Sequence, residues 1–87
     1  MDRDFYGMSI PEYMHDGLRR YVEEHIPTGS FLESVISNDL SGAVFNADDE
    51  NIHNIPAFVN WLYSKAPGNC WGSPEAYSGW LAQRKSA

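Results

Sequence analysis

Proline and glycine divide this chain into short segments, and within those segments the apolar residues recur at helical spacing. Pro11, the run His25-Ile26-Pro27-Thr28-Gly29, Pro56 and Ala66-Pro67-Gly68 each stand at a break. Proline fixes φ and lacks an N–H donor, so it opens helices or follows them and is expelled from their interiors. No segment alternates apolar and polar residues with period two, the signature of a half-buried strand, and no internal repeat is present. The expected fold is all-α: a compact single domain of four to five short helices.

The segments read as follows. Residues 1–8 are a loose start, residues 9–84 a single helical domain and residues 85–87 a tail. A first helix runs from Pro11 to about Glu24, with Met14, Leu18, Tyr21 and Val22 on one side and Arg19 and Arg20 on the polar side. Gly17 inside it costs about 1 kcal/mol relative to Ala, and marks a close approach of another backbone. A second helix opens at Ser30 and carries Phe31, Leu32, Val35 and Ile36. Ser37-Asn38-Asp39 interrupts it, so that 30–47 reads as two short helices, with one kinked helix as the alternative. Leu40, Ala43, Val44 and Ala47 then follow the i, i+3, i+4, i+7 pattern of a core-facing stripe. After the acidic step Asp48-Asp49-Glu50-Asn51, a helix starts near Asn54 with Pro56 in its first turn and continues through Phe58, Trp61, Leu62 and Lys65. The last helix runs from Ser73 to about Gln83, bearing Tyr77, Trp80 and Leu81, with Arg84 and Lys85 at the end where cations are favoured.

Size and charge restrict the function classes. A domain of 87 residues has a marginal core, and 43% hydrophobic content lets it gain by burying further surface in a homo-oligomer. A mean hydropathy of -0.45 and the lack of a long apolar run exclude a transmembrane helix. The opening MDRDFYGMSI has no apolar core of a secretory signal, and the single Cys70 fits a reducing cytosol. A formal net charge of -6 argues against sequence-independent DNA binding, which needs Lys and Arg to neutralise phosphates. A small phosphate ligand held by backbone N–H groups and a few arginines is compatible with that charge. Acid can also mimic nucleic acid on a protein surface, although solubility is its plainest use.

The chemistry-bearing features are few. Gly29-Ser30 before Phe31 and Gly72-Ser73 before Pro74 both stand where a helix begins, and Trp71 precedes the second. Serine is a preferred N-cap, and a helix N-terminus presents free N–H groups and a partial positive charge suited to phosphate. Glycine admits close approach to the backbone, and a neighbouring aromatic can stack on a base. The plainer reading is helix punctuation. Arg19 and Arg20 offer guanidinium groups to phosphate oxygens, or simply a solvated helix face. Asn38, Asp39 or Asn51 could read a base edge. Phe31 and Trp61 read more simply as core, while Trp71 in its Gly-rich loop is divided between core and ligand. His15, His25, His53 and Cys70 have no metal-ligand spacing, and no His and acid can be tied to a Ser or Cys nucleophile. Asp39 and Asp48 are explained by capping. No cofactor and no catalysis are expected.

Ile10-Pro11-Glu12, Gly29-Ser30-Phe31-Leu32, Asn38-Asp39-Leu40, Ala47-Asp48, Leu62-Tyr63, Pro67 and Cys70-Trp71-Gly72-Ser73 with Trp80 occur in that order. Together they resemble a widespread family of small bacteriophage and prophage accessory proteins, over about residues 9–82. The resemblance implies a phage protein acting in the host cytoplasm, and small phage accessory proteins are often counter-defence factors. Among them are sponges: oligomers that hold the cyclic nucleotide signals of CBASS and Thoeris immunity without destroying them. The leading expectation is such a sponge, a homo-oligomer such as a tetramer that sequesters a cyclic nucleotide. Its site would draw on Arg19, Arg20, Gly29, Ser30, Phe31, Asn38, Trp71, Gly72 and Ser73, an assignment made from helix-start chemistry. The alternative is an acidic protein-binding inhibitor of a host defence complex such as a CRISPR effector or nuclease, working through Asp39, Asp48, Asp49, Glu50 and exposed aromatics.

Overall fold

Five α-helices follow one another in a computed structural model that describes residues 5–84: α1 (His15–Glu24), α2 (Ser30–Ile36), α3 (Leu40–Asn46), α4 (Ile55–Lys65) and α5 (Pro74–Ala82). Single 3-10 turns lead into α1 (Glu12–Met14), α4 (Asn51–His53) and α5 (Gly68–Cys70). The all-α expectation is met, and the break between α2 and α3 makes two helices of the 30–47 segment. The C-terminal tail 85–87, with Lys85, lies outside the described residues, as do residues 1–4 of the N-terminal segment. Phe5 to Met8, expected as part of a loose start, form a tight turn instead. Phe5 and Met8 exchange backbone hydrogen bonds of 2.7 and 2.9 Å, with Tyr6 at φ 52° and Gly7 at φ 80°. Two consecutive positive φ angles are the pattern of a two-residue hairpin turn. Among the described residues no helix is long and apolar enough to cross a membrane.

One core draws on every helix: Leu18 and Tyr21 from α1, Phe31, Leu32, Val35 and Ile36 from α2, Ala43 from α3, Phe58 and Leu62 from α4, Tyr77 and Trp80 from α5. The buried aromatics solve the problem of their polar tips. Tyr21 donates its hydroxyl to the Cys70 carbonyl at 2.7 Å, and the Trp80 indole N–H donates to the Tyr21 carbonyl at 2.8 Å. A buried donor left without an acceptor costs about 1–3 kcal/mol, so these bonds fix how α1, the Cys70 turn and α5 meet. The α1 chain end turns at His25, which is left-handed at φ 57° and donates from Nδ1 to the Trp80 carbonyl at 2.7 Å. Gly17 faces the Leu32 side chain, which an added Cβ would meet at 3.5 Å. The close neighbour expected there is thus a side chain and not a backbone.

The α2–α3 corner is specified almost residue by residue. Asn38 is left-handed at φ 62° and closes α2 with bonds from Asn38 N–H to Val35 O (3.1 Å) and from Asp39 N–H to Ser34 O (2.8 Å). That pair of bonds is a Schellman cap, and Asn is among the few residues besides Gly that tolerate the left-handed position. Asp39 immediately N-caps α3, its carboxylate accepting from Gly42 N–H at 3.1 Å. A Cβ at Gly42 would overlap the Asp39 carboxylate and the Ser34 hydroxyl, so any larger residue there must displace the capping side chain.

Candidate functional site

The two Gly-Ser pairs are built differently. Ser73 is the N-cap of α5: its Oγ accepts from Ala76 N–H at 3.0 Å, and Pro74 occupies the first turn. Ser30 is not a cap. Gly29 occupies the N-cap position of α2 without any side-chain cap bond, and Ser30 is the first helical residue. The expected serine cap at Ser30 is therefore replaced by a glycine cap one residue earlier, where extended backbone at ψ 177° places the chain outside the helix. Phe31 points inward, 7% exposed, with its ring edge-on to Phe58 at 5.1 Å between centroids. Its core role displaces the stacking role.

The structure separates the pairs. Gly29-Ser30 stands at the N-terminus of α2, while the Gly72 N–H donates at 2.7 Å to the carbonyl of Ile36, the last residue of that helix. A seven-residue helix rises about 10 Å, so the two starts lie at opposite ends of α2. Asn38 shares the Gly72 end and is exposed. Gly72 itself is left with open space around its α-carbon at φ 111°, but its N–H is already committed. Trp71 is half-buried and packs against the core. Arg19 pairs with Asp16 (2.9 Å), Glu24 (3.1 Å) and Glu23 (3.5 Å), and Arg20 with Asp16 (3.5 Å), all along α1. The Arg19 guanidinium in turn holds the Asp16 carboxyl below its ordinary value. The two arginines form the solvated, carboxylate-laced face of the plainer reading.

Asp39 caps α3 as expected, whereas Asp48 closes the turn that leads into Asn51–His53, whose N-cap position is Glu50. The Asp48 carboxylate accepts from Asn51 N–H (2.7 Å), Glu50 N–H (3.1 Å) and the Tyr13 hydroxyl. The Tyr13 bond is the main cause that lowers the Asp48 carboxyl and pushes the Tyr13 hydroxyl up to about 12. Burial raises the Cys70 thiol, away from the reactive thiolate. Among the described residues no group of three or more His, Cys, Asp or Glu side chains is arranged to hold a metal ion.

No match was found. Neither protein-family profiles, nor characterised proteins, nor solved structures gave one. The family resemblance rests on the motifs alone.

What the motifs did not suggest is the face of α3 and α4. Leu40, Ala43 and Val44 form the α3 part of the stripe expected to face the core, yet only Ala43 is buried; Leu40 is 72% exposed and Val44 42%. The expectation fails because the Asp39 cap and the Asn38 turn aim α3 so that α2 covers only the Ala43 side. Leu40 and Ala43 instead line a shallow depression with Ile55 and Val59 of α4, and Asn38 and Asp39 form its polar edge. Tyr63, one helical turn beyond Val59, is 81% exposed, and Phe45 on the outer side of α3 is 85% exposed. Single exposed apolar residues are ordinary, but a patch shared by two adjoining helices is not.

Proposed function

We propose that the chain acts by binding a protein through the uncovered α3–α4 face, as an acidic inhibitor of a host defence complex such as a CRISPR effector or nuclease. The observation that carries this reading is the outward turn of Leu40, Val44, Val59 and Tyr63, a patch whose pattern is that of a core. Fully burying one such side chain is worth about 1.5–3 kcal/mol, so the patch can anchor a partner once association costs are met. Phage origin and action in the host cytoplasm come from the family resemblance and belong to the same proposal. The test is expression of the chain in bacteria carrying defined defence systems, scored by phage plaquing. Restored plaquing that Leu40→Ser with Tyr63→Ser abolishes, in a protein with unchanged helicity, supports the reading; plaquing restored by the double variant as fully as by the parent removes it.

A second reading, sequestration of a cyclic nucleotide by a homo-oligomer such as a tetramer, is favoured by one observation. Trp71 is half-buried beside the open Gly72, at the start of the Ser73-capped α5. Its stacking face would be completed by a second protomer, since the arginines of α1 are already paired. Calorimetric titration with cyclic mono- and dinucleotides and cyclic ADP-ribose isomers tests it. Tight binding lost in Trp71→Ala, with intact ligand released by heat, installs the sponge in place of the first reading.

A further inference from the structure

Resting on the protein-binding reading above, we infer that the α3–α4 face takes a basic partner: a protein segment whose apolar side chains are flanked by Lys or Arg. Between Arg20 and Lys65 the sequence holds no Lys or Arg, while Glu23, Glu24, Glu33, Asp39, Asp48, Asp49 and Glu50 all fall in that stretch. One of these acids, Asp39, lines the depression itself. Asp39 caps α3 at one end, Asp48, Asp49 and Glu50 follow its other end, and Leu40 and Val44 stand between them. Seven residues of helix rise about 10 Å. A partner seated on Leu40 therefore lies beside the Asp39 carboxylate, and one that also covers Val44 extends toward the Asp48 end of the helix.

Two of these charges, Asp39 and Asp48, are held in place. Asp39 accepts from Gly42 N–H, and Asp48 accepts from Glu50 and Asn51 N–H, so neither must be ordered on binding. Among the described residues the ion pairs all lie on α1. The same charge weighs against other occupants. A second copy docking face to face would set these carboxylates against their own duplicates. Anionic lipid and nucleic-acid phosphate would be repelled likewise. A rim of one sign around an apolar centre selects the opposite sign and speeds its encounter, as electrostatic complementarity does at interfaces generally.

The test uses two helical peptides with the same leucine stripe, one flanked by lysines and the other by glutamates, titrated against the full chain by fluorescence anisotropy. The lysine peptide should bind about tenfold or more tightly than the glutamate peptide, with the gap closing as salt rises. Asp49→Lys with Glu50→Lys should narrow or reverse the preference; both side chains are exposed, and Glu50 precedes the Asn51–His53 turn without any side-chain cap bond. Leu40→Ser with Tyr63→Ser should abolish binding of either peptide. Equal affinity for both peptides, still lost in Leu40→Ser with Tyr63→Ser, overturns the basic partner and leaves the protein-binding face standing. Binding of neither peptide, or binding indifferent to Leu40 and Tyr63, overturns both. A dimer in sedimentation that Leu40→Ser dissolves assigns the face to a second copy and also overturns the inference.

Discussion

The α1–α5 side and the α3–α4 side of this molecule treat the same kinds of residue in opposite ways. On the first, Tyr21 stacks on Tyr77 with centroids 5.3 Å apart and planes 9° from parallel, and His25 lies against Trp80 at 4.2 Å. Each polar tip has a partner: Tyr21 on the Cys70 carbonyl, Trp80 on the Tyr21 carbonyl, and Tyr77 on Thr28 N–H, from which its oxygen accepts at 3.1 Å. On the second, Tyr63 and Phe45 stand in water and the depression beside Leu40 is open. Burial with every hydrogen bond made is a finished interface. Apolar surface with no neighbour is an unfinished one, and the contrast separates residues that hold the fold from residues free to serve binding.

The largest effect should come from breaking the finished side. Trp80→Ala removes a buried indole and its bond to α1, and should cost about 3–5 kcal/mol. In a domain of this size that lowers Tm by roughly 12 °C or more in a thermal melt. Tyr63→Ser, on the other side, should stay within about 0.5 kcal/mol of the parent. A Tyr63→Ser cost comparable with that of Trp80→Ala would break the comparison outright. Next in size, Tyr21→Phe strands the Cys70 carbonyl without its donor, and urea unfolding should show a loss of about 1–3 kcal/mol.

Smaller effects sharpen the contrast between the two helix starts. Ser73→Ala should cost about 1 kcal/mol, because its hydroxyl caps α5, whereas Ser30→Ala should change denaturant midpoints little, because Gly29 holds the cap position. Equal losses would mean that both serines cap in solution. The smallest effect is a titration. Tyr13 is raised to about 12 by Asp48, so the hydrogen bond it donates is fully available below pH 10 and is lost as pH rises through about 12. Asp48 is shifted the other way. Its contribution is present above the ordinary carboxyl value of 3.8 and is lost as pH falls through its lower folded value. Ultraviolet titration should show one exposed tyrosine ionising late, and Asp48→Asn should return it toward 10.0; buried Tyr21 stays high in both proteins.

Much of this protein is legible in its residues one by one. The all-helical class, the stops at Pro27 and Pro67, the Ser73-Pro74 start and the double break at Asn38-Asp39 follow from local rules. Proline removes a donor, serine and aspartate accept from a first-turn N–H, and few residues besides Gly and Asn sit left-handed without strain. Those rules act over four residues and need no knowledge of the rest of the chain. Other features were decided only when the helices met: Gly72 spending its N–H on Ile36 and the separation of the two Gly-Ser pairs along α2. The Leu40 stripe shows why. Helical periodicity tells which residues share a face, but whether that face meets the core, water or another molecule depends on the direction α2 and the Asp39 cap give to α3.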